Sequence, residues 1–275
     1  MTPSNPSRRP GRRAYLLITG FAVLLVLFPF LFWYGTWFGR KLTDDEITQY
    51  LHSAVAKPRK AQHALVQIGE RINRRGDKRA GEWYPNIAEL ASNPSVELRQ
   101  TVAWIMGQVH AYQPFHEALR KLLADSSPMV RRNAALSLTN FGDASSRGEL
   151  LAMLRPYTIV SPAAGVVRYR LKPGEFVNPG TLVGYVNSSE IRSPLPGEVL
   201  ALHQPERATV RAGDVLVELS PDKEHAWEAL RALLLVGQKT DLEDVQRYAR
   251  GVAGMPDRVR QQAALTMQEI HSRGQ

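Results

Sequence analysis

The chain has 275 residues, with 35 Lys+Arg against 26 Asp+Glu, 44% hydrophobic residues, 20 Gly, 18 Pro and no Cys, the composition of folded domains rather than of a disordered or collagen-like polymer. Without cysteine, disulfide frameworks, thiolate metal clusters and cysteine nucleophiles are excluded. The formal charge of +9 is concentrated at one end: Arg8, Arg9, Arg12, Arg13, Arg40 and Lys41 precede the first acid, and the nearly neutral remainder lacks the basic face that phosphate binding needs, so no nucleic-acid partner is expected.

Residues 1–13 form a basic amino-terminal segment. From Ala14 to Phe38 no charge occurs, and at about 1.5 Å per residue a helix of that length crosses a hydrocarbon core of roughly 30 Å. The expectation is one transmembrane helix over 14–38, in contact with membrane lipid, with Tyr15, Trp33, Tyr34 and Trp37 at the interfaces. A cleaved signal peptide is the competing reading; the length of the apolar run and the bulky residues after it stand against it. Basic residues are more numerous before the span than after it. This predicts a single-pass protein of the bacterial inner membrane, with a cytoplasmic amino terminus and a periplasmic body.

Over 42–156 one pattern recurs. Pro58 to Ile68, Val96 to Met106 and Val130 to Leu138 align on Ala64, Ala103 and Ala135, and Val259 to Met267 repeats the pattern near the carboxyl end, aligned on Ala264. The first separations, 39 and 32 residues, suit two-helix repeats. Val, Ala and Leu at helical spacing form an apolar stripe, and Asn93-Pro94, Ser127-Pro128 and Met255-Pro256-Asp257 supply helix starts. Asp44 to Ala56, Tyr84 to Ala91, Phe115 to Ala124 and Leu242 to Gly251 fit as the first helices of the pairs. Trp104, Met106 and Leu138 read as core. Thr43 before Asp44-Asp45-Glu46 reads as an N-capped first turn, a metal-binding acidic run being the alternative. The shared Val-Arg-x-x-Ala-Ala-Leu core resembles the second helix of HEAT repeats, which implies an α-solenoid that presents an extended face to protein partners.

Over 157–220 short Val/Leu/Ile runs alternate with Pro-Gly, Asn-Pro-Gly and Ala-Gly-Asp turns, predicting about eight strands. This segment also repeats itself: Ile159 to Val167 is echoed by Ile191 to Val199, and Lys172 to Leu182 by Ala208 to Leu216. The Ser-Pro-x-x-Gly-x-Val pattern resembles the biotinyl/lipoyl barrel-sandwich domain, including the version in membrane-fusion-type (HlyD-like) periplasmic adaptors. In carriers of that family a lysine at the tip of the hairpin between the halves bears the cofactor. The tip here is Asn187-Ser188-Ser189, without lysine, so no cofactor is expected. The adaptors' long coiled-coil hairpin between the half-motifs is missing too. Residues 221–275 complete the solenoid, so the β domain is read as an insertion into it.

The expected fold class is therefore α+β multidomain: a transmembrane helix, a HEAT-like α-solenoid and an inserted all-β, lipoyl-like barrel-sandwich domain. The seven histidines show no metal-ligand spacing, and no nucleophile elbow or phosphate-binding loop occurs, so neither catalytic nor metal residues nor a small-molecule substrate are inferred. Arg99, Arg131, Arg132, Arg258 and Arg260 recur at repeat positions. They are candidate partner-binding residues, or internal partners of Asp125, Asp143, Asp257 and Glu269. The functional expectation is a membrane-anchored, non-enzymatic scaffold or accessory subunit that binds other subunits of a membrane complex. The alternative is an adaptor-like component of a transport or efflux system.

Overall fold

The computed structural model describes residues 12–33, 40–74 and 78–273. The chain divides into two compact units, Met1–Asp44 and Asp45–Gln275. The first carries helix α1 (Arg12–Trp33). Among the described residues no helix is long and apolar enough to cross a membrane, which corrects the expected transmembrane helix over 14–38. Helix α1 opens on Arg12 and Arg13 and carries Pro29 near its end. The expected fold class with a spanning helix falls with it. Tyr34 and Trp37 lie outside the described residues, as do the side chains of Tyr15 and Trp33.

The second unit begins with helix pairs. First helices are α2 (Asp44–His52), α4 (Tyr84–Glu89), α6 (Gln113–Leu122), α8 (Arg147–Met153) and α10 (Leu242–Arg250). Second helices are α3 (Pro58–Asn73), α5 (Val96–Met106), α7 (Pro128–Thr139), α9 (Lys223–Val236) and α11 (Asp257–Ser272). Pro58 and Pro128 stand in the first turns of α3 and α7, where a missing N–H costs nothing. The Ser95 hydroxyl accepts from the Leu98 N–H to cap α5, and the Asp222 carboxylate accepts from the N–H groups of Glu224 and His225 to cap α9.

Each second helix packs on the next, α3 on α5, α5 on α7, α7 on α9 and α9 on α11. Leu65, Ile68, Leu98, Ile105, Phe115, Leu119 and Leu138 are fully buried between the layers, each such side chain stabilising the fold by about 1.5–3 kcal/mol. Contact between α5 and α7 is close because Gly107 carries no side chain: a Cβ there would lie 2.3 Å from the Ser137 Oγ. Two α7 side chains and that of Asn140, just past its end, bond to the backbone of α5 and of Gly107, which follows it. Asn133 Nδ2 donates to the Gln100 carbonyl, Ser137 Oγ to that of Ala103 and Asn140 Nδ2 to that of Gly107. In α11 the buried phase runs through Val259, Ala263, Thr266 and Ile270, one residue ahead of the expected Ala264. Ala264 and Leu265 lie on the side of α11 turned away from α9 and are exposed.

Between α8 and α9 the chain forms β1 (Tyr157–Val160), β2 (Gly165–Tyr169), β3 (Phe176–Val177), β4 (Leu182–Val186), β5 (Ser189–Arg192), β6 (Gly197–Leu202), β7 (Thr209–Val210) and β8 (Val215–Leu219). They make two antiparallel sheets, ordered β1-β8-β6-β3 and β5-β4-β2-β7. Exchanging the halves, so that β1 becomes β5 and β4 becomes β8, converts one order into the other. The internal sequence repeat is thus a two-fold relation in the fold. It shows in the chemistry as well. The buried Ser161 hydroxyl donates to the Ala163 carbonyl at 2.7 Å, and the buried Ser193 hydroxyl to that of Leu195 at 2.6 Å. Ser161 exchanges backbone bonds with Gly213 and Asp214 of the second half, and Ser193 with Gly180 and Thr181 of the first. Gly180 and Gly213 take φ of +85° and +88°, a turn conformation that favours glycine. Ile159, Val167, Val177, Val183, Ile191, Val199 and Val210 share one core.

The ends of this insertion are clamped by the helices. The guanidinium of Arg147 in α8 makes two bonds to the buried Asp241 carboxylate, at 2.8 and 2.6 Å, and Tyr248 Oη in α10 donates to the Leu154 carbonyl at 2.8 Å.

Candidate functional site

The five repeat-position arginines do not converge on one surface ladder. Arg99 binds Asp125 through both Nε and Nη2, at 2.7 and 2.9 Å, and its Nη1 donates to the carbonyls of Asn93 and Pro94. Arg131 repeats that geometry one unit on: its Nη1 donates to the carbonyls of Asp125 and Ser126, and its Nε to Glu149 at 3.1 Å. Burial works to raise the Asp125 carboxyl, but the bonds from Arg99 and from the Ser127 N–H, with the Arg99 and Arg131 charges, hold it below the usual carboxylate range. Arg258 pairs with Glu224 and lies over Trp227, whereas Arg260 reaches only Asp257, at 3.1 Å and largely exposed. Of the four acids named from the sequence, Asp125 and Asp257 meet these arginines. Asp143 binds His116 at 2.7 Å and Arg120 at 3.6 Å, and Glu269 meets Arg273.

Arg132 differs from the other four. Its side chain is buried, its Nη1 sits 3.0 Å from His225 Nδ1, its Nε has no partner, and the Glu149 carboxylate is 4.0 Å away. Guanidinium only donates, so His225 Nδ1 accepts and the ring proton is on Nε2. Burial and the Arg132 charge push His225 below the ordinary imidazole value, against Asp222 and Glu224, which pull it up. This pair joins α7 to the first turn of α9 across the insertion. It is a structural contact.

Two adjoining clefts open on the second helices, and a further cleft of about 610 Å³ lies by the first helices α4 and α6. A cleft of about 450 Å³ between α5, α7, α9 and α11 is lined by Trp104, Gln108, Asn133, Glu228, Leu235 and Gln262. A second cleft of about 460 Å³, lined by Gln62, Val66, Glu70 and Gln100, shares Trp104 and Asn133 with it, so the two form one groove running across α3, α5, α7 and α9. Trp104 is 50% exposed, and Leu235 and Val66 are exposed beside it. Met106 and Leu138 are core, but Trp104 is not: it follows the buried Ala103 and so points about 100° away from the packed stripe. Burial raises the Glu228 carboxyl against the neighbouring Arg231 charge, and Arg231 lies over Trp227 at 4.7 Å.

A family model for HEAT repeats matches residues 84–165. These residues hold a HEAT-like element, α4 to α8. The last stretch of the match, 157–165, folds as β1 and the turn after it rather than as helix. No curated protein matches the chain.

In the β unit the tip is tied down. Asn187 takes a φ of +54°, its Oδ1 accepts from the Val166 N–H at 2.9 Å, and a Cβ on Gly165 would lie 2.4 Å from its Nδ2. Strands β4 and β5 are joined directly through Asn187 and Ser188, with no helical hairpin between them. Among the described residues no group of three or more His, Asp or Glu is placed to hold a metal ion. Sequence reasoning missed the groove and His225. The signal for the groove was an aromatic one position past the small-residue stripe; His225 lies 93 residues from Arg132 in sequence, and no local pattern links them.

Proposed function

We propose that this chain is a non-enzymatic protein-interaction scaffold whose second-helix face receives a protein partner, with the β unit as a second, rigid docking module. The observation that carries the reading is the groove: an aromatic-lined, half-polar surface continuous over four stacked helices, in a chain whose repeat-position arginines are engaged internally. Stacked repeats build extended faces of this kind because each unit hides only the sides that touch its neighbours. The HEAT-repeat match supports the same conclusion. The duplicated Ser-Pro half-motif favours the β unit as a relative of biotinyl/lipoyl domains, used for its shape, since its tip offers no lysine and is bonded to β2.

Photo-cross-linking tests this. A benzophenone amino acid in place of Gln100, on the groove, is expected to give discrete protein adducts in cells, whereas the same group in place of the exposed Gln246, on the outer helix α10, gives none. Adducts of equal yield at Gln100 and Gln246, or none at Gln100, would refute the assignment.

A further inference from the structure

The β unit is held to the array through its two chain connections. Helices pack on helices and strands on strands, the two regions have separate hydrophobic cores, and among the described residues no hydrogen bond or ion pair joins residues 157–219 to a helix. The first connection is fixed on the array side, where Tyr248 Oη and Arg247 donate to the Leu154 carbonyl and Arg155 binds Asp244. The second is fixed at both ends. Ser220 donates its N–H to the Glu198 carbonyl of β6, and Asp222 caps α9. Pro156 and Pro221 lie between these fixed points, side by side because Tyr157 pairs with Leu219 in the sheet. Proline has no N–H, so a turn at either residue breaks no bond from it. Two neighbouring pivots define a single axis for rotation of the β unit as a body.

The second pivot adjoins a cluster of charges with two ways of pairing. In the first, Arg132 Nη1 donates to His225 Nδ1 at 3.0 Å, and Arg132 Nε has no partner. The members of the second already stand nearby: Glu149 Oε1 is 4.0 Å from Arg132 Nε, and Asp222 Oδ1 is 3.9 Å from His225 Nδ1. A proton on Nδ1 turns that acceptor into a donor, so that two donors and two positive charges face each other. They must separate, and the imidazolium then takes Asp222 while the guanidinium takes Glu149. Three further groups surround the pair. Arg131 on α7 holds the other Glu149 oxygen, Glu224 on α9 is bonded to Arg258 of α11, and the Tyr157 hydroxyl acts on Arg132 from the start of β1.

We propose that this cluster is a proton-operated latch: protonation of His225 exchanges the pairing and turns the β unit about the axis through Pro156 and Pro221. Asp222 carries the motion, because it caps α9, receives the imidazolium and directly follows Pro221. Burial and the Arg132 charge hold His225 below the ordinary imidazole value, so the turn occurs below about pH 6.5. Acid thereby reorients the two docking modules, whichever partners they take.

The chain has no cysteine, so pairs of spin labels can be placed at will. Double electron–electron resonance on the full chain measures Glu117→Cys on α6 against Lys172→Cys, and separately against Ser188→Cys, two exposed positions on different loops of the β unit, since a label lying on the axis would not move. Glu117→Cys with Gln246→Cys is the control within the array. Between pH 7.5 and 4.5 at least one array-to-β distance is expected to shift by several ångströms, the size of a hinge movement, while the control distance stays constant. In His225→Asn, which keeps an acceptor for Arg132 and does not titrate, the shift is expected to vanish. In Asp222→Asn, which still caps α9 but offers the imidazolium no charge, it is expected to move to lower pH. Distances independent of pH, an equal shift in His225→Asn or an unchanged midpoint in Asp222→Asn overturns the proposal. So does a change in the control distance, which would make the movement an unfolding of the array. Should His225→Asn fail to fold, Asp222→Asn decides.

Discussion

In the helical array each repeat touches its neighbours along a line, whereas in the β unit each half completes the sheet of the other. Both regions arise from an internally repeated sequence, yet the outcomes differ. Stacking buries two sides of a helix pair and leaves the second-helix face with exposed Trp104, Val66 and Leu235. Exchange closes the β unit on itself: Ser161 and Ser193, and the turns at Gly180 and Gly213, satisfy one another across the halves. Linear repetition therefore leaves a continuous open face along the helices, whereas reciprocal repetition leaves a closed module that offers only its outer surface.

The comparison breaks most visibly where the array must stay continuous around the insertion. Asp241 is 2% exposed, takes two bonds from Arg147 and accepts from the Gln238 N–H. Asp241→Ala removes both bonds from the partly buried Arg147 guanidinium, which keeps only Thr240, and leaves the Gln238 N–H without its acceptor; it should cost about 3 kcal/mol, read by urea denaturation of the helical signal. A loss under about 1 kcal/mol would mean that the array tolerates the β unit without this clamp.

The equivalence of the two β halves is sharpened by a matched pair. Ser161→Ala and Ser193→Ala each remove one buried hydroxyl bond and should each cost about 1–2 kcal/mol, within about 0.5 kcal/mol of each other. Unequal costs in chemical denaturation would show that the halves are alike in sequence and geometry but not in energy.

The junction between the two regions carries a pH dependence. His225 has a folded-state pKa below its unfolded value, so the unfolded chain binds the proton more readily. Stability from the neutral contact with Arg132 is therefore complete above about pH 6.5 and is lost as pH falls below it, with a slope approaching about 1.4 kcal/mol per pH unit. Asp125, Asp143 and Asp241 are held below the usual carboxylate range, and their contribution is lost only below about pH 4, so the windows separate. His225→Asn, which keeps an acceptor, should flatten the melting temperature between pH 7 and 5. An unchanged slope would assign the transition elsewhere.

How much of this was legible follows from how local each signal is. Helix starts at Pro58, Ser95 and Pro128, and the Ser-Pro turns at Ser161 and Ser193, are written within a few residues, and helices α3, α5 and α7 and strands β1, β2, β5 and β6 lie on the segments whose repeats the sequence displays. The HEAT-like part of the array was open to the same reading. The transmembrane expectation rested on the absence of charge from Ala14 to Phe38, a measure of polarity alone, and among the described residues no helix is long and apolar enough to cross a membrane. In α11 the alignment on Ala264 missed the packed phase by one residue, since two adjacent alanines make the choice ambiguous until the neighbouring helix is in place. The groove depends on which side of α5 meets α7, and Arg132 on a histidine beyond the insertion; both are set by tertiary packing.

The smallest expected effect is that of Arg260, set against its repeat counterpart Arg99. Arg99 and Arg260 stand four residues before Ala103 and Ala264, the aligned positions, and a repeat-based argument treats them alike. Their surroundings do not. Arg99 is largely buried, doubly bonded to Asp125 and bonded to two carbonyls of the preceding loop, so Arg99→Ala leaves three acceptors short and should cost about 2–3 kcal/mol. Arg260 makes one exposed contact within its own helix, worth less than about 0.5 kcal/mol, and that contact weakens further in salt. Urea denaturation of both variants at 0.05 and 0.5 M NaCl separates the cases. Arg99→Ala should shift the midpoint at either salt, and Arg260→Ala at neither. An Arg260→Ala shift comparable to that of Arg99→Ala would place the last helix pair inside the same network of inter-repeat clamps, and the exposed side of α11 would then have to be counted with the packed repeats.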